Sequence, residues 1–349
     1  MRILEINTEK SWRGGEKQTL LTTEGLLQQG HDVTLVCIKN SALHEKARSK
    51  KIPHVALASN GLLFFYLLFF GHKYSIVHTH TPKALTPCIL AKLFLNAKVV
   101  FSRRHYRVPS SFISKWKYNA ADYITAVSEY IKTRLINKGI RSPIEVIYDA
   151  SIRISPNPAR IQHEFSRFTA SGKKIIATVA ALESEKDPFT LLNAIEKLSN
   201  ERDDFIFLHF GSGSLENQIK QAITDRNMES VYYCIGQTSS VEELYSMFDI
   251  FVMSSKNEGF GSSVIDAFLN KVAVVSTNAG GLKELVSGRG YVAETENAQS
   301  LFEQLNACMT HPSEELIDKA YNFALAELST ETIQKHYEAL FIRLTQPAV

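Results

Sequence analysis

A carboxylate beside two glycines, at the end of a run of branched apolar residues, is placed to handle a polar ligand, and this chain has one at Glu258. The segment reads Ser254-Ser-Lys-Asn-Glu258-Gly259-Phe260-Gly261. It enters an apolar helix-like stretch at Ser263 that carries Asp266, continues into a strand-like run at 272–276, and ends at Gly280-Gly281-Leu-Lys-Glu284. Glycines leave backbone N–H groups bare, and the second carboxylate, eight residues on, falls in the helix that follows. Such amides and acids can grip a polyhydroxylated, phosphate-bearing ligand. Taken alone, Asp266 is also explained as an Asp at a helix start, favoured by the dipole.

Two further segments could bind an anion. Trp12-Arg-Gly14-Gly15-Glu16 precedes a helix-like stretch at 17–29, so paired glycines sit where a helix dipole favours negative charge. In Ala181-Leu-Glu-Ser-Glu-Lys186-Asp-Pro188, a proline at a helix start places the Lys186 ammonium beside bare terminal amides. A basic loop, Arg103-Arg104-His105-Tyr106-Arg107, leaves a strand-like run. His105 there is either a hydrogen-bonding imidazole near a ligand or one member of a solvated basic loop. His78 and His80, two apart on a strand end, share one face, but no third metal ligand is identifiable from the sequence. No Gly-x-Gly-x-x-Gly follows a strand, which argues against a nicotinamide enzyme. There is no Asp-x-Asp triplet either, and metal-independent chemistry without a cofactor is expected.

These residues must be positioned by elements, and the 349-residue length predicts about two domains. Short runs rich in Val, Ile and Leu, at 3–7, 33–38, 76–80, 98–101, 123–127 and 145–147, alternate with amphipathic stretches. Residues 148–158 carry two prolines and no period, and read as a linker. The alternation resumes at 174–179, 205–210, 231–235, 250–254 and 272–276. Repeated β-α units on two parallel sheets follow. In open parallel sheets ligands sit beyond the carboxyl ends of the strands, so two such domains facing each other would enclose a cleft. Residues 330–344 have helical spacing through Ile333, Tyr337, Leu340, Phe341 and Leu344.

The net charge of +3 hides an asymmetry: residues 1–150 hold 22 Lys and Arg against 10 Asp and Glu, and the remainder 17 against 26. Either the two domains attract each other, or the first presents a basic face to anionic lipid, phosphate or nucleic acid. Nucleic acid is not expected, because stacking aromatics are not interleaved in the 103–107 loop. The most apolar stretch, residues 62–70, is too short to span a bilayer. Lacking a polar side, it reads as a buried helix of the first domain. Four scattered cysteines and an N-terminus that enters a strand at once point to a cytoplasmic protein, peripheral at most on the inner membrane face.

Glu258 with the second acid at position 266 resembles the Glu-x7-Glu signature of the family 4 retaining glycosyltransferases, which have the GT-B fold. Further matches run in order along nearly the whole chain: Gly14-Gly15-Glu16, Ala121-Asp122, Val127-Ser128, Val146-Ile147, Gly211-Ser-Gly213 and residues 245–249. The resemblance implies an α/β chain of two doubly wound, Rossmann-like domains. The first, 1–150, would lie on the acceptor side and be joined by a terminal helix at 330–346. The second, 159–329, would bind a nucleotide diphosphate sugar. It implies Glu258 and His105 as catalytic groups, and Gly14, Gly15, Lys186, Gly259, Phe260, Gly261 and Asp266 as the donor-binding set. Three departures stand out: Asp266 replaces a Glu, Ala181 replaces an Arg that partners the lysine on the diphosphate, and Tyr148-Asp149-Ala150 replaces Pro-Asn-Gly. Arg103, Arg104 or Arg107 would have to compensate for the lost cation. The function implied is retaining transfer of a sugar to a glycan or lipid-linked acceptor, in cell-surface polysaccharide or lipopolysaccharide synthesis. A non-catalytic nucleotide-sugar-binding homologue and a nucleotide-sugar epimerase are the alternatives.

Overall fold

The computed structural model describes residues 1–166 and 172–346. The chain divides into two compact units, residues 1–150 with the stretch from Ser329 onward, and residues 151–328. Each unit is built on one parallel sheet whose central strands are almost wholly buried, as expected for sheets covered on both faces.

In the first unit, β1 (Arg2–Ile6), β2 (Asp32–Ile38), β3 (His54–Leu57), β4 (Ile76–Thr79), β5 (Lys98–Arg103), β6 (Tyr123–Ala126) and β7 (Ile144–Val146) lie in the order β3-β2-β1-β4-β5-β6-β7. Ile3 pairs with Val33 on one side and Ile76 on the other, so β1 is central and the winding reverses between β1 and β4. Helices α1 (Gly14–Gln28), α2 (Ala42–Ser49), α3 (Leu62–Phe70), α4 (Pro82–Ala91), α5 (Phe112–Asn119) and α6 (Glu129–Asn137) make the crossovers. Because right-handed crossovers on the two sides of a reversal fall on opposite faces, α1 packs with α2, whereas α3, α4 and α5 pack in turn on the other side.

The second unit repeats the scheme. Strands β8 (Lys174–Val179), β9 (Phe205–Phe210), β10 (Tyr232–Gly236), β11 (Ile250–Met253), β12 (Ala273–Thr277) and β13 (Tyr291–Ala293) run in the order β10-β9-β8-β11-β12-β13. Seven helices accompany them: α7 (Pro158–Phe165), α8 (Pro188–Glu201), α9 (Glu216–Asp225), α10 (Ser262–Leu269), α11 (Gly281–Val286), α12 (Ala298–Thr310) and α13 (Glu314–Glu327). The winding reverses between β8 and β11. The last helix, α14 (Thr330–Thr345), capped by Ser329, packs on α1 in the first unit. Its stripe of Ile333, Tyr337, Leu340 and Phe341 is buried against Leu21, Val33 and Val100. Each such side chain contributes about 2 kcal/mol by leaving water.

Two expectations from the sequence need correction. Gly14 and Gly15 are not in a loop before the helix but are the first residues of α1, with Arg13 as the cap and the Glu16 carboxylate accepting the Arg13 N–H at 2.8 Å. That carboxylate occupies part of the helix end offered to an anion. The second correction is α3, which is not a buried helix. Leu63 and Leu67 face inward, while Leu62, Phe65, Phe69 and Phe70 face solvent. The helix lacks a polar side because one apolar side packs on the protein and the other is left uncovered. β3 and β13, short strands at the sheet edges, were not anticipated from the sequence.

Candidate active site

In an open parallel sheet the loops on the two sides of the reversal part and leave a crevice. At the β8/β11 reversal those loops carry Lys186 and Glu258. After β8 the chain makes a short 3-10 turn (Ser184–Lys186) and reaches Asp187 in the left-handed region, φ 50°. The Asp187 carboxylate accepts the Thr190 N–H and caps α8, whose first residue is Pro188. Lys186 therefore leaves the chain one residue before a helix cap, and its ammonium pairs with the Glu258 carboxylate. Two bonds stitch the loops together: the Ser254 hydroxyl donates to the Lys186 carbonyl at 2.8 Å, and the Lys256 N–H to the Glu185 carbonyl at 2.9 Å.

Backbone rather than side chains fixes the Glu258 loop from its other side. The Gly281 N–H donates to the Glu258 carbonyl at 3.1 Å, and a Cβ on Gly281 would lie 2.1 Å from the Gly259 oxygen. Two glycine-containing loops thus touch at a distance that no side chain permits. Gly261, at φ 106°, turns the chain into α10, and Phe260 is buried between these glycines as an anchor. The Glu258 carboxylate also accepts the Gly259 N–H at 3.1 Å. The result is a lysine, a carboxylate and closely packed main chain at one end of the sheet.

Asp266 is held differently. It is the fifth residue of α10, not at the helix start, and it is buried with its carboxylate accepting from the Ser151 hydroxyl. Tyr245 lies beside it, donating its hydroxyl to the Ser263 carbonyl at 3.1 Å. Ala181, in the loop after β8, offers only a methyl group and a carbonyl that accepts the Glu183 N–H.

The corresponding reversal in the first unit is filled by an internal network. Glu5, the next-to-last residue of β1, accepts from both imidazoles, His78 at 2.9 Å and His80. His78 also bonds the Ser102 hydroxyl at 2.7 Å. The Arg104 guanidinium donates to His80 Nδ1 at 2.7 Å, pairs with Asp149 at 2.8 Å and reaches the Tyr337 hydroxyl of α14. Since Arg104 can only donate, His80 is the neutral tautomer protonated on Nε2. Burial, with His78 next, pushes the His80 imidazole down to about 3. Burial alone would raise the Glu5 carboxyl, but the two facing histidines outweigh it and hold it at about 2.

Glu5, His78 and His80 have the spacing of a metal triad, and Glu5 is the third ligand that the sequence did not reveal. The ring nitrogens, however, already hold hydrogen bonds to protein groups, and a guanidinium stands beside them, which opposes a further cation. A charged residue inside the run Ile-Leu-Glu-Ile was the available signal for this buried network.

Arg104, expected as a compensating cation, is thus corrected: its charge is matched by Asp149. Arg103 is buried on the opposite side of β5, beside Tyr118 and near Lys117. His105 and Arg107 lie in the exposed loop beyond, the ring stacked on Tyr106 at 4.6 Å and accepting the Arg107 N–H at 3.1 Å. Lys186, Glu258 and the surrounding glycines are therefore brought together, while Gly14, Gly15, His105 and the arginines belong to the other unit.

Two family models match the chain, Glycosyltransferase Family 4 over residues 12–150 and Glycosyl transferases group 1 over residues 160–323. The chain belongs to the family 4 glycosyltransferases. Among the relatives of this family 4 chain is spore coat protein SA of Bacillus subtilis (strain 168), 25% identical, with 88% of this chain and 89% of that one covered. Another is the UDP-Gal:alpha-D-GlcNAc-diphosphoundecaprenol alpha-1,3-galactosyltransferase of Escherichia coli, 23% identical over 87% of each. The crystal structure of HepE from Anabaena in complex with UDP and glucose superposes with a TM-score of 0.86. It covers 98% of this chain and 100% of that one at 19% identity, and the two Rossmann-like sheets are those of the GT-B fold.

Proposed function

We propose that this glycosyltransferase takes a sugar from a nucleotide diphosphate sugar and transfers it with retention of configuration, without a metal ion or cofactor. The acceptor would be a glycan or lipid-linked molecule of cell-surface polysaccharide or lipopolysaccharide synthesis, met in peripheral contact with an anionic membrane. One observation carries the reading: the Lys186–Glu258 pair at the β8/β11 reversal, backed by the touching glycine loops. In transfer, the bond from the anomeric carbon to the phosphate oxygen breaks with its electron pair leaving on the diphosphate, and the acceptor hydroxyl oxygen bonds that carbon as its proton passes to the departing diphosphate. The Lys186 ammonium would stabilise the departing charge. Glu258 would hold the sugar, with Asp266 on the ribose.

The resting ion pair is compatible with this role. A partly exposed pair contributes about 1 kcal/mol or less, so a diphosphate can take Lys186 from Glu258 at small cost. The first unit would serve the acceptor side, with His105 as a catalytic group and Gly14 and Gly15 in the donor-binding set. UDP is the first nucleotide to try, because it is the one bound in the HepE structure. Incubation with UDP-sugars, with and without acceptor lipids or glycans, tests the reading: a new glycoside supports it, and an isomerised free nucleotide sugar would mean epimerisation. A non-catalytic role is favoured by Ala181 and by the engagement of Asp266 with Ser151. Nucleotide binding without turnover on any donor and acceptor pair would establish that second reading.

A further inference from the structure

The uncovered face of α3 is part of something larger. Among the described residues fourteen large apolar side chains are exposed, and ten of them fall between residues 62 and 116. On α3, Phe65 is 55% and Phe69 69% exposed, at the helical spacing that puts them on one stripe with Leu62. Where α4 ends and the chain turns at 92–94, Leu93 is 91% exposed and Leu90 and Phe94 stand beside it in sequence. On α5, Phe112 is 84% and Ile113 72% exposed, one helical turn before Trp116. Since α3 packs on α4 and α4 on α5, the three sets share one side of the first unit. A soluble chain rarely leaves so many large apolar groups together without a partner.

The charge of the same stretch names the partner. The 60 residues from Leu62 to Ala121 hold nine Lys and Arg and no Asp or Glu, of which Lys83, Lys92 and Arg104 pair with acids from other segments. Lys73 lies over the Phe70 ring at 4.9 Å, with its stem along the apolar surface and its ammonium outward. Arg103 points to the α4 and α5 side of the sheet, since its alternation partner Phe101 packs on Tyr118 of α5. Its guanidinium is buried, and its Nε has no hydrogen-bond partner. Near it, the Lys117 ammonium of α5 finds only neutral acceptors, the Pro82 carbonyl at 2.7 Å and the Thr86 hydroxyl at 3.3 Å. Burial, then the neighbouring Arg103, push that ammonium down. Lys73 on the apolar face and Lys117 held only on neutral acceptors beside it match a surface that offers phosphates above hydrocarbon.

We infer that the face formed by α3, the end of α4 and α5 docks on an anionic lipid bilayer. Phe65, Phe69, Leu93, Ile113 and Trp116 enter the interfacial layer, and Lys73 and Lys117 meet lipid phosphates. No helix among the described residues is long and apolar enough to cross a membrane, and α3 is only nine residues, so the chain lies on the bilayer and does not span it. The inference extends the lipid-linked acceptor reading above but stands on its own observations.

The test is co-sedimentation of the full chain with vesicles of phosphatidylcholine alone or mixed with phosphatidylglycerol. It is run at about 0.1 M and about 1 M salt, between which screening shortens from about 10 to about 3 Å. Binding is expected to the mixed vesicles, to fall at least about tenfold at high salt, and to be accompanied by quenching of Trp116 by brominated lipid. Phe65→Ser with Phe69→Ser, or Ile113→Ser with Trp116→Ser, each lowers it about tenfold. Ile342→Ser, an exposed apolar site of α14 on the α1 side of the first unit, leaves it unchanged. Circular dichroism confirms that each variant is folded. No binding to either vesicle overturns the inference, as do face variants that bind like the wild type. A lipid-free dimer abolished by the Phe65 and Phe69 changes also overturns it and gives the face to a second copy. Thermal stabilisation by UDP separates the two readings: kept without vesicle binding, only the docking face falls; lost with vesicle binding intact, only the donor-site reading falls.

Discussion

The two sheets have the same winding and the same reversal, yet their reversals hold opposite kinds of chemistry. In the first unit Glu5, His78, His80, Arg104, Asp149 and Tyr337 satisfy one another in a buried cluster. In the second, Lys186 and Glu258 make one partly exposed pair, and the walls are main chain and glycine. A buried network whose members are all paired has nothing to offer a ligand and serves to fix α14 and the loops. A partly exposed pair walled by main chain can exchange its partner for a ligand. Topology supplies the crevice twice, and the side chains determine that one is closed and the other open.

This contrast can be broken at either end. Glu5→Ala leaves two imidazoles and Arg104 without their carboxylate, and the first unit should lose about 3–5 kcal/mol of stability in urea unfolding. Glu258→Gln should leave the melting profile nearly unchanged while lowering glycosyl transfer about 10²–10³-fold, the scale of one lost electrostatic group. Gly281→Ala forces its Cβ against the Gly259 carbonyl and should cost about 1–3 kcal/mol, with loss of nucleotide stabilisation.

Acid sharpens the comparison. His80 titrates near 3 when folded and near its ordinary value when unfolded, so the unfolded chain takes up the extra proton as pH falls. Stability should therefore decline from about pH 6.5 towards 3, by up to about 1.4 kcal/mol per pH unit. Glu5, held at about 2, adds to the decline only below its ordinary carboxyl range. His80→Gln should flatten the slope in thermal melts taken across that range. The smallest effect expected is for Asp266→Ala, about tenfold in nucleotide affinity, or about 1.4 kcal/mol, read by calorimetric titration.

Much of the fold was legible because Val- and Ile-rich runs at regular intervals can only be buried strands. Lys174–Val179 and Phe205–Phe210 coincide with their sequence readings, while His54–Leu57 and Tyr291–Ala293, edge strands of four and three residues, carry too short a pattern. The Lys186 and Glu258 loops could be found one at a time from glycine and proline placement. Their pairing across 72 positions could not, since it depends on β8 and β11 being neighbours. The Glu5 cluster was hidden for the same reason, its members coming from β1, β4, β5 and α14. For α3, apolar residues on every side leave no period to read, so which side is covered is decided only by packing against α4.

The central claim is that the β8/β11 reversal binds a nucleotide diphosphate sugar through Lys186 and Glu258. The most direct measurement is thermal unfolding of the wild type and of Lys186→Ala with Glu258→Gln, each with and without UDP-glucose and its nucleotide. At about 100 times its dissociation constant a ligand should add about 2.7 kcal/mol to the wild type, and the double variant should show little of that gain. Equal stabilisation of both proteins would contradict the account.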